Sequence, residues 1–303
     1  MLFYGAREML GRVWNNRPNP GLMRGMMGES WPLMLNHFLA TIFFQIDVVI
    51  LEALRGARIV GQYSVAYRWL LALNIIPAFF TQALLPVMSR QANEDRDAFK
   101  RTYTLAVKLM VAVSLPFAVA FTVLAEPLTL LLGGQEFLPV GAIALQIMIW
   151  SIPIGWINSV TQYALVALDL QRMITRAFAV AVSFNIITNL IFIPEFGYRA
   201  AAVTTIFSEI VLLFPFVLLM HRALGWINWW GMVWRPTIAA LVMGIVLLVG
   251  WTIMPLLALM AAGIVYPALL LALRPLSADE LRMLSPVLPA QIRQMIPSDT
   301  PGQ

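Results

Sequence analysis

The sequence predicts an all-α integral membrane protein with about eight transmembrane helices, and three observations carry that expectation. The 303 residues are 60% hydrophobic and only 12% charged, with a mean hydropathy of +0.81, whereas a water-soluble domain has roughly a quarter of its residues charged. The apolar residues fall in runs of bilayer-spanning length, about 20 residues each. The basic residues fall between those runs and predominantly on alternate connections, as the positive-inside rule requires.

The apolar runs cover about 31–54, 60–88, 103–125, 137–168, 173–194, 198–220, 234–253 and 256–273. The second and fourth are long and contain Pro77 and Pro153, so kinks or tilted ends are expected there. The last two are separated only by Met254 and Pro255, which reads as a tight hairpin. With both termini in the cytoplasm, the inner face receives Arg7, Arg12, Arg17 and Arg24, the Arg90–Arg101 connector, Arg172, Arg176, Arg222, Arg235 and the tail arginines. The outer face then holds only Arg55, Arg58 and Arg199. The expected location is the cytoplasmic (inner) membrane, and an even number of spans is what puts both basic ends on one side.

Four segments follow from this pattern. Residues 1–29 read as a cytoplasmic amphipathic linker, in which arginines interrupt Leu2, Phe3, Met9, Leu10 and Trp14; the segment has no continuous apolar run of the secretory-signal kind. Residues 30–222 carry six spans, residues 223–274 a C-terminal helix pair, and residues 275–303 a proline-rich cytoplasmic tail.

Composition also narrows the function classes. There is no cysteine, which excludes disulfides and thiol chemistry. Two histidines, His37 and His221, are too few and too far apart to suggest a metal cage. No cofactor is expected. The net charge of +5 follows topology and does not form a nucleic-acid surface. The outer connectors are short and carry no nucleophile–base set, so an enzyme is not expected.

The charges inside the spans carry the functional expectation, because an ionisable group at membrane depth is costly and usually faces a bundle interior or a water-filled cavity. Asp47 lies seven residues before the outer end of the first span and Arg68 eight residues after the outer start of the second. At about 1.5 Å per residue both sit roughly 10–12 Å below the outer surface, so a direct Asp47–Arg68 pair is open to them. Tyr63, Tyr67 and Trp69 surround Arg68, as would suit a sugar–phosphate ligand, although an interfacial aromatic belt has the same composition. Glu209, eleven residues after Tyr198, lies near the midplane and is expected to be neutral and hydrogen-bonded, paired, or wetted by a cavity. Lys108, a turn and a half into the third span, is expected to snorkel to the inner surface.

Uncharged polar residues recur at depth at Asn74, Gln82, Gln146, Asn158, Gln162, Asn185 and Asn189. Any one of them could simply bond between helices, but together they suggest a polar passage. Arg68, Tyr67, Asn158 and Gln162 are therefore the candidate substrate-binding residues. Asp47 and Glu209 are the candidate ion-coupling or orienting groups.

A set of motifs adds a resemblance. Asp47 precedes an apolar stretch that leads to Val60, Gly61, Tyr63, Ala66, Tyr67 and Arg68, then Ile76-Pro77, then Leu85-Pro86 with Ser89-Arg90. Further on come an asparagine-rich helix, an Ile193-Pro194…Gly197 turn, the small residues Ala200–Ala202, and Glu209, with Arg199 where a glycine is frequent. Over about residues 25–222 this pattern resembles the second half of polysaccharide flippases of the multidrug/oligosaccharidyl-lipid/polysaccharide exporter superfamily.

The resemblance implies transport of lipid-linked oligosaccharides across the membrane by alternating access, in a cationic cavity where Arg68 holds the pyrophosphate. It implies twelve or fourteen helices in two lobes, whereas this chain offers eight: one lobe plus two extra C-terminal helices. The first lobe would then come from a longer reading frame, a separate chain or a second copy. The expected partners are membrane lipids, a lipid-linked oligosaccharide and that missing lobe. Two other readings compete: a cation-coupled multidrug exporter of the same superfamily, which a carboxylate-dominated cavity would favour, and a non-transporting membrane component of a polysaccharide-assembly complex.

Overall fold

The computed structural model describes residues 20–273 and Glu280. Among these, every regular element is helical. In order they are α1 (Pro20–Arg55), α2 (Ala57–Leu73), α3 (Ile75–Glu94), α4 (Arg96–Val123), the short α5 (Ala125–Gly133), a 3-10 turn (Gln135–Phe137), α6 (Val140–Met148), α7 (Ser151–Ala167), α8 (Gln171–Phe196), α9 (Tyr198–Leu224), α10 (Trp229–Trp251) and α11 (Pro255–Leu273).

Seven segments are long and apolar enough to cross a bilayer: Met34–Arg55, Ala57–Glu94, Arg96–Val123, Gln171–Phe196, Tyr198–Leu224, Trp229–Trp251 and Pro255–Leu273. The bent pair α6–α7 makes an eighth if counted as one span, with 45° between its halves. The expected spans are thus present, and both long ones are broken for the same reason. α2 stops at Leu73 and α6 at Met148. Pro77 has no N–H for the Leu73 carbonyl, and Pro153 has none for that of Ile149, so the ladder fails four residues before each ring.

The segment boundaries have local causes. Gly56 alone separates α1 from α2, at φ 83, a conformation that costs glycine nothing. Asp95 caps α4: its Oδ1 accepts from the amides of Asp97 and Ala98, both at 2.9 Å, satisfying two of the first-turn donors. α1 begins at Pro20, so residues 20–29 are helical and continuous with the first span. The rest of the expected amphipathic linker, residues 1–19, and the tail apart from Glu280 lie outside the described residues.

The bundle is organised around α7, which packs against α3, α4 and α9. α6 lies between α2 and α9, and α8 lies along α1 and α9. Two polar clamps lock α1 to α8 at opposite ends. Near one end the Asn36 amide donates to Gln171 O at 3.2 Å, and Thr175 donates to Asn36 Oδ1 at 2.5 Å. At the other, Arg55 donates from Nε and Nη2 to Ile193 O at 3.2 and 3.1 Å, and from Nη2 to Pro194 O. These carbonyls close the last turn of α8, where an arginine is favourably placed. The two helices therefore run parallel.

α10 and α11 form an outlying hairpin that meets the rest mainly through α10 on α4. Its seam brings small residues together: a Cβ on Gly250 would lie 2.7 Å from that of Ala258. Such residues allow close backbone approach where lipid offers no hydrophobic drive for helix association. Tyr266 adds a tie from α11 by donating to the Ala112 carbonyl of α4. The outer surface of the hairpin is apolar and exposed, with Leu256 at 72% and Leu271 at 77%, as a lipid-facing helix requires.

Close packing makes a direct test. A Cβ on Gly141 would meet Thr129 Cγ2 at 2.9 Å and the Gln62 carbonyl oxygen at 3.0 Å, whereas one on Gly263 meets nothing within 4 Å. Gly141→Ala is expected to destabilise the detergent-solubilised protein by about 1–3 kcal/mol through overpacking. Gly263→Ala is expected to be neutral or stabilising by up to about 1 kcal/mol. Thermal unfolding of the two variants side by side checks the α2–α6 contact.

Candidate functional site

The buried polar groups of the bundle converge on α9. The positions Thr205 and Glu209 are four residues apart and so share one face, a turn from each other. Each reaches a different neighbouring helix, and together they connect the two intramembrane carboxyl groups.

Asp47, on α1, is 1% exposed. Tyr63 of α2 donates to its Oδ2 at 3.1 Å, and the Tyr67 hydroxyl lies 2.7 Å from both carboxyl oxygens. Thr205 of α9 approaches Oδ2 at 3.5 Å while bonding its own helix at Ala201 O. The two phenols are again four residues apart, so one turn of α2 presents both to the same carboxyl, and their rings pack edge to face at 5.6 Å. A buried carboxyl without partners would cost several kcal/mol. Here neutral hydroxyls from two helices satisfy it.

Glu209 is 4% exposed. The side-chain amide of Asn158, on α7, donates to Glu209 Oε2 at 2.7 Å and to the Glu209 carbonyl at 2.9 Å. Gly155 lies against the carboxyl, where a Cβ would sit 3.2 Å from Oε1. Neither carboxyl belongs to an ion pair among the described residues. The polar line continues along α9 to Ser208, which accepts from the Asn185 amide at 2.9 Å; Asn189 in turn donates to Asn185 Oδ1 at 2.8 Å. Asn158 Oδ1 and Asn189 Oδ1 are buried without a hydrogen-bond partner.

Of the residues expected from sequence, the structure therefore brings Asp47, Tyr67, Glu209 and Asn158 together. Glu209 takes the hydrogen-bonded form among the alternatives open to it. Gln162 lies one turn beyond Asn158 on α7, half-buried, and stays outside the hydrogen-bonded cluster.

One expectation is corrected. Asp47 and Arg68 do not pair: Arg68 is exposed, and Asp47 is held by tyrosines. The reason is angular. A helix turns about 100° per residue, so an α2 that aims Tyr63 and Tyr67 at Asp47 must turn Arg68 away. Lys108 Nζ sits 2.6 Å from Glu280 Oε1, in an ion pair that is mostly shielded on both sides. Tyr63, Thr205 and Gly155 were not singled out as members of the site. The signal for the first two was present in the Tyr63–Tyr67 and Thr205–Glu209 spacings.

Comparisons with known proteins agree with this architecture. Residues 12–142 match the family described as polysaccharide biosynthesis protein. The probable flippase AglR of Haloferax volcanii is 26% identical over 166 residues, covering 54% of this chain and 35% of that protein. An uncharacterized membrane protein of Methanocaldococcus jannaschii is 25% identical over 196 residues, 63% of this chain and 38% of its own. Among solved structures, the lipid II flippase MurJ in its inward closed conformation aligns with a TM-score of 0.67 at 15% identity, over 84% of this chain and 55% of that one. A MOP superfamily transporter from Pyrococcus furiosus aligns at 0.58 and 14% identity, over 84% and 66%. The chain thus spans little more than a third of its curated relatives and about half to two thirds of the solved structures. The sequence is thus similar to the polysaccharide biosynthesis protein family over residues 12–142, and the fold is that shared by the aligned transporters.

Removing one phenol leaves the Asp47 carboxyl short of a donor. Tyr67→Phe is expected to destabilise by about 1–3 kcal/mol, whereas Arg68→Gln, on the exposed side of the same helix, is expected to stay within about 0.5 kcal/mol. A thermodynamic cycle on Asp47→Asn and Arg68→Gln should be additive. Coupling above about 1 kcal/mol would restore the ion pair.

Proposed function

We propose that this chain forms one lobe of a transporter that moves lipid-linked oligosaccharide precursors across the cytoplasmic membrane by alternating access. A second lobe would come from a longer form of the protein, a partner chain or a second copy. The family match over residues 12–142 and the named flippase relative support the substrate class. The observation that carries a moving device is the Asp47–Glu209 line itself: two carboxyls inside membrane-spanning helices, both held by neutral donors from adjacent helices. Neutral hydrogen bonds of this kind contribute about 0.5–1.5 kcal/mol each, little enough to be exchanged during a conformational cycle.

In this reading Asp47 and Glu209 couple the cycle to an ion or orient the neighbouring helices. Arg68, exposed next to half-buried Tyr67, lines the face that meets the second lobe and contacts the anionic pyrophosphate there. Asn158 acts on Glu209, and Gln162, one turn further along α7, contacts the substrate. The basic connectors face the cytoplasm.

One observation favours a second reading. Among the described residues the ionisable groups of the buried polar interior are the carboxyls of Asp47 and Glu209, with Arg68 outside it, and that arrangement suits a cation-coupled exporter of drug-like molecules.

The test uses membrane vesicles from cells that make the protein with its normal complement of partners, supplied with a fluorescent polyprenyl-linked oligosaccharide whose leaflet is read by a membrane-impermeant quencher. Loss of the gene should abolish the transfer. Asp47→Asn and Glu209→Gln should slow it about tenfold or more, the effect of losing roughly 1.4 kcal/mol in the limiting step. Arg68→Gln should weaken substrate affinity while leaving protein levels unchanged. If oligosaccharide transfer is indifferent to the chain while ion-dependent efflux of a cationic dye requires it, the exporter reading replaces this one.

A further inference from the structure

A second site lies at the basic end of the bundle, away from the carboxyl line. A cavity of about 500 Å³ opens between the start of α4 and the start of α10, lined by Lys100, Thr104 and Lys108 on one side and by Asn228, Trp234 and Arg235 on the other. Its size falls within the roughly 300–1,000 Å³ of small-ligand sites. Lys100, Thr104 and Lys108 are spaced by four, so α4 presents two ammonium groups and a hydroxyl in one row. The facing wall adds a guanidinium: Arg235 lies over the Trp234 ring at 5.2 Å, an arrangement that orients the cation. Trp226, also at the rim, is 78% exposed, as befits an aromatic ring at the headgroup level.

One of the lining cations already holds an anion from the chain itself. Glu280, beyond the end of α11, places its carboxylate 2.6 and 2.9 Å from the Lys108 ammonium. The two side chains are only 17% and 13% exposed. An acidic residue from the tail thus pairs with one of the three cations on the cavity's walls. A carboxylate held in this way presents two oxygens, as a phosphate group does, though with less charge and fewer acceptors.

We propose that this cavity binds the phosphate of an anionic lipid in the adjoining leaflet, and that Glu280 is a tethered competitor for Lys108 which holds that ammonium when no phosphate is bound. Basic pockets between transmembrane helices are a recurrent way of holding anionic headgroups. The tryptophans at the rim and the exposed apolar surface of α10 and α11 leave the acyl chains a place to lie. Because α10 is joined to the rest through α4, a lipid at this point bridges the outlying hairpin to the bundle. The proposal is independent of what the protein transports.

The full chain, purified in phosphatidylcholine nanodiscs, would be titrated with phosphatidic acid and, separately, with inorganic phosphate, with bound lipid counted by native mass spectrometry. Glu280→Gln should raise the phosphatidic acid affinity severalfold by removing the competitor. Lys108→Gln should lower it about tenfold, as expected for loss of a charge-assisted contact, and the double variant should resemble Lys108→Gln. Lys100→Gln, which leaves the Lys108–Glu280 pair in place, should also weaken binding and guards against a folding defect in the others. Unchanged or weakened binding in Glu280→Gln, with a lowered melting temperature, would make the pair a structural strut and overturn the proposal. Inorganic phosphate binding as tightly as phosphatidic acid would overturn the assignment to lipid.

Discussion

The Asp47 carboxyl group is the point on which the helix arrangement turns. In a bilayer no water is present to satisfy a polar group, so wherever Asp47 lies, donors must be brought to it. Tyr63 and Tyr67 of α2 and Thr205 of α9 answer that demand. The consequence is a fixed azimuth for α2 and for α9 relative to α1. Once α9 presents Thr205 to Asp47, the next turn must present Glu209 on the same side, and α7 answers with Asn158. Three helices are thereby set around α9 by short polar contacts.

The α8 helix is positioned by a different means. Its clamps lie at the two ends, at Asn36–Gln171 and Arg55–Ile193, while Asn185 and Ser208 tie its middle to α9. α10 and α11 share none of these buried networks and rest on small-residue packing, the Tyr266 tie and the Lys108–Glu280 pair. The molecule thus contains a polar-bonded body and a hairpin attached along one edge. That division places the basic cavity at the joint between the two.

Much of this fold was legible in the sequence, because bilayer thickness converts composition directly into segment length. The spans, their two breaks at Pro77 and Pro153 and the tight junction before α11 could all be read from apolar runs and ring positions. Within the site, Asp47 and Glu209 declared themselves as charges at depth. Sequence fixes how deep a residue lies but gives its direction only relative to its own helix. Asp47 and Arg68 share a depth, and that alone made them look like partners. The tyrosine spacing held the missing angle: two phenols on one face leave no room for the next residue to point the same way. Gly155 and Glu280 carried no comparable signal. The first is a close approach between helices far apart in sequence, and the second is a contact between a tail residue and a span over 170 positions away.

The choice of partners around the carboxyls separates this interior from a merely braced one. A buried ion pair is costly to open, because breaking it strands two charges at once, with losses of about 3–5 kcal/mol. Phenol and amide donors carry no charge of their own, so when they let go only the carboxyl is left without a partner. Asn158 makes two such contacts to Glu209, and Gly155 leaves room for the carboxyl beside it, so α7 and α9 are held together at this depth by uncharged donors.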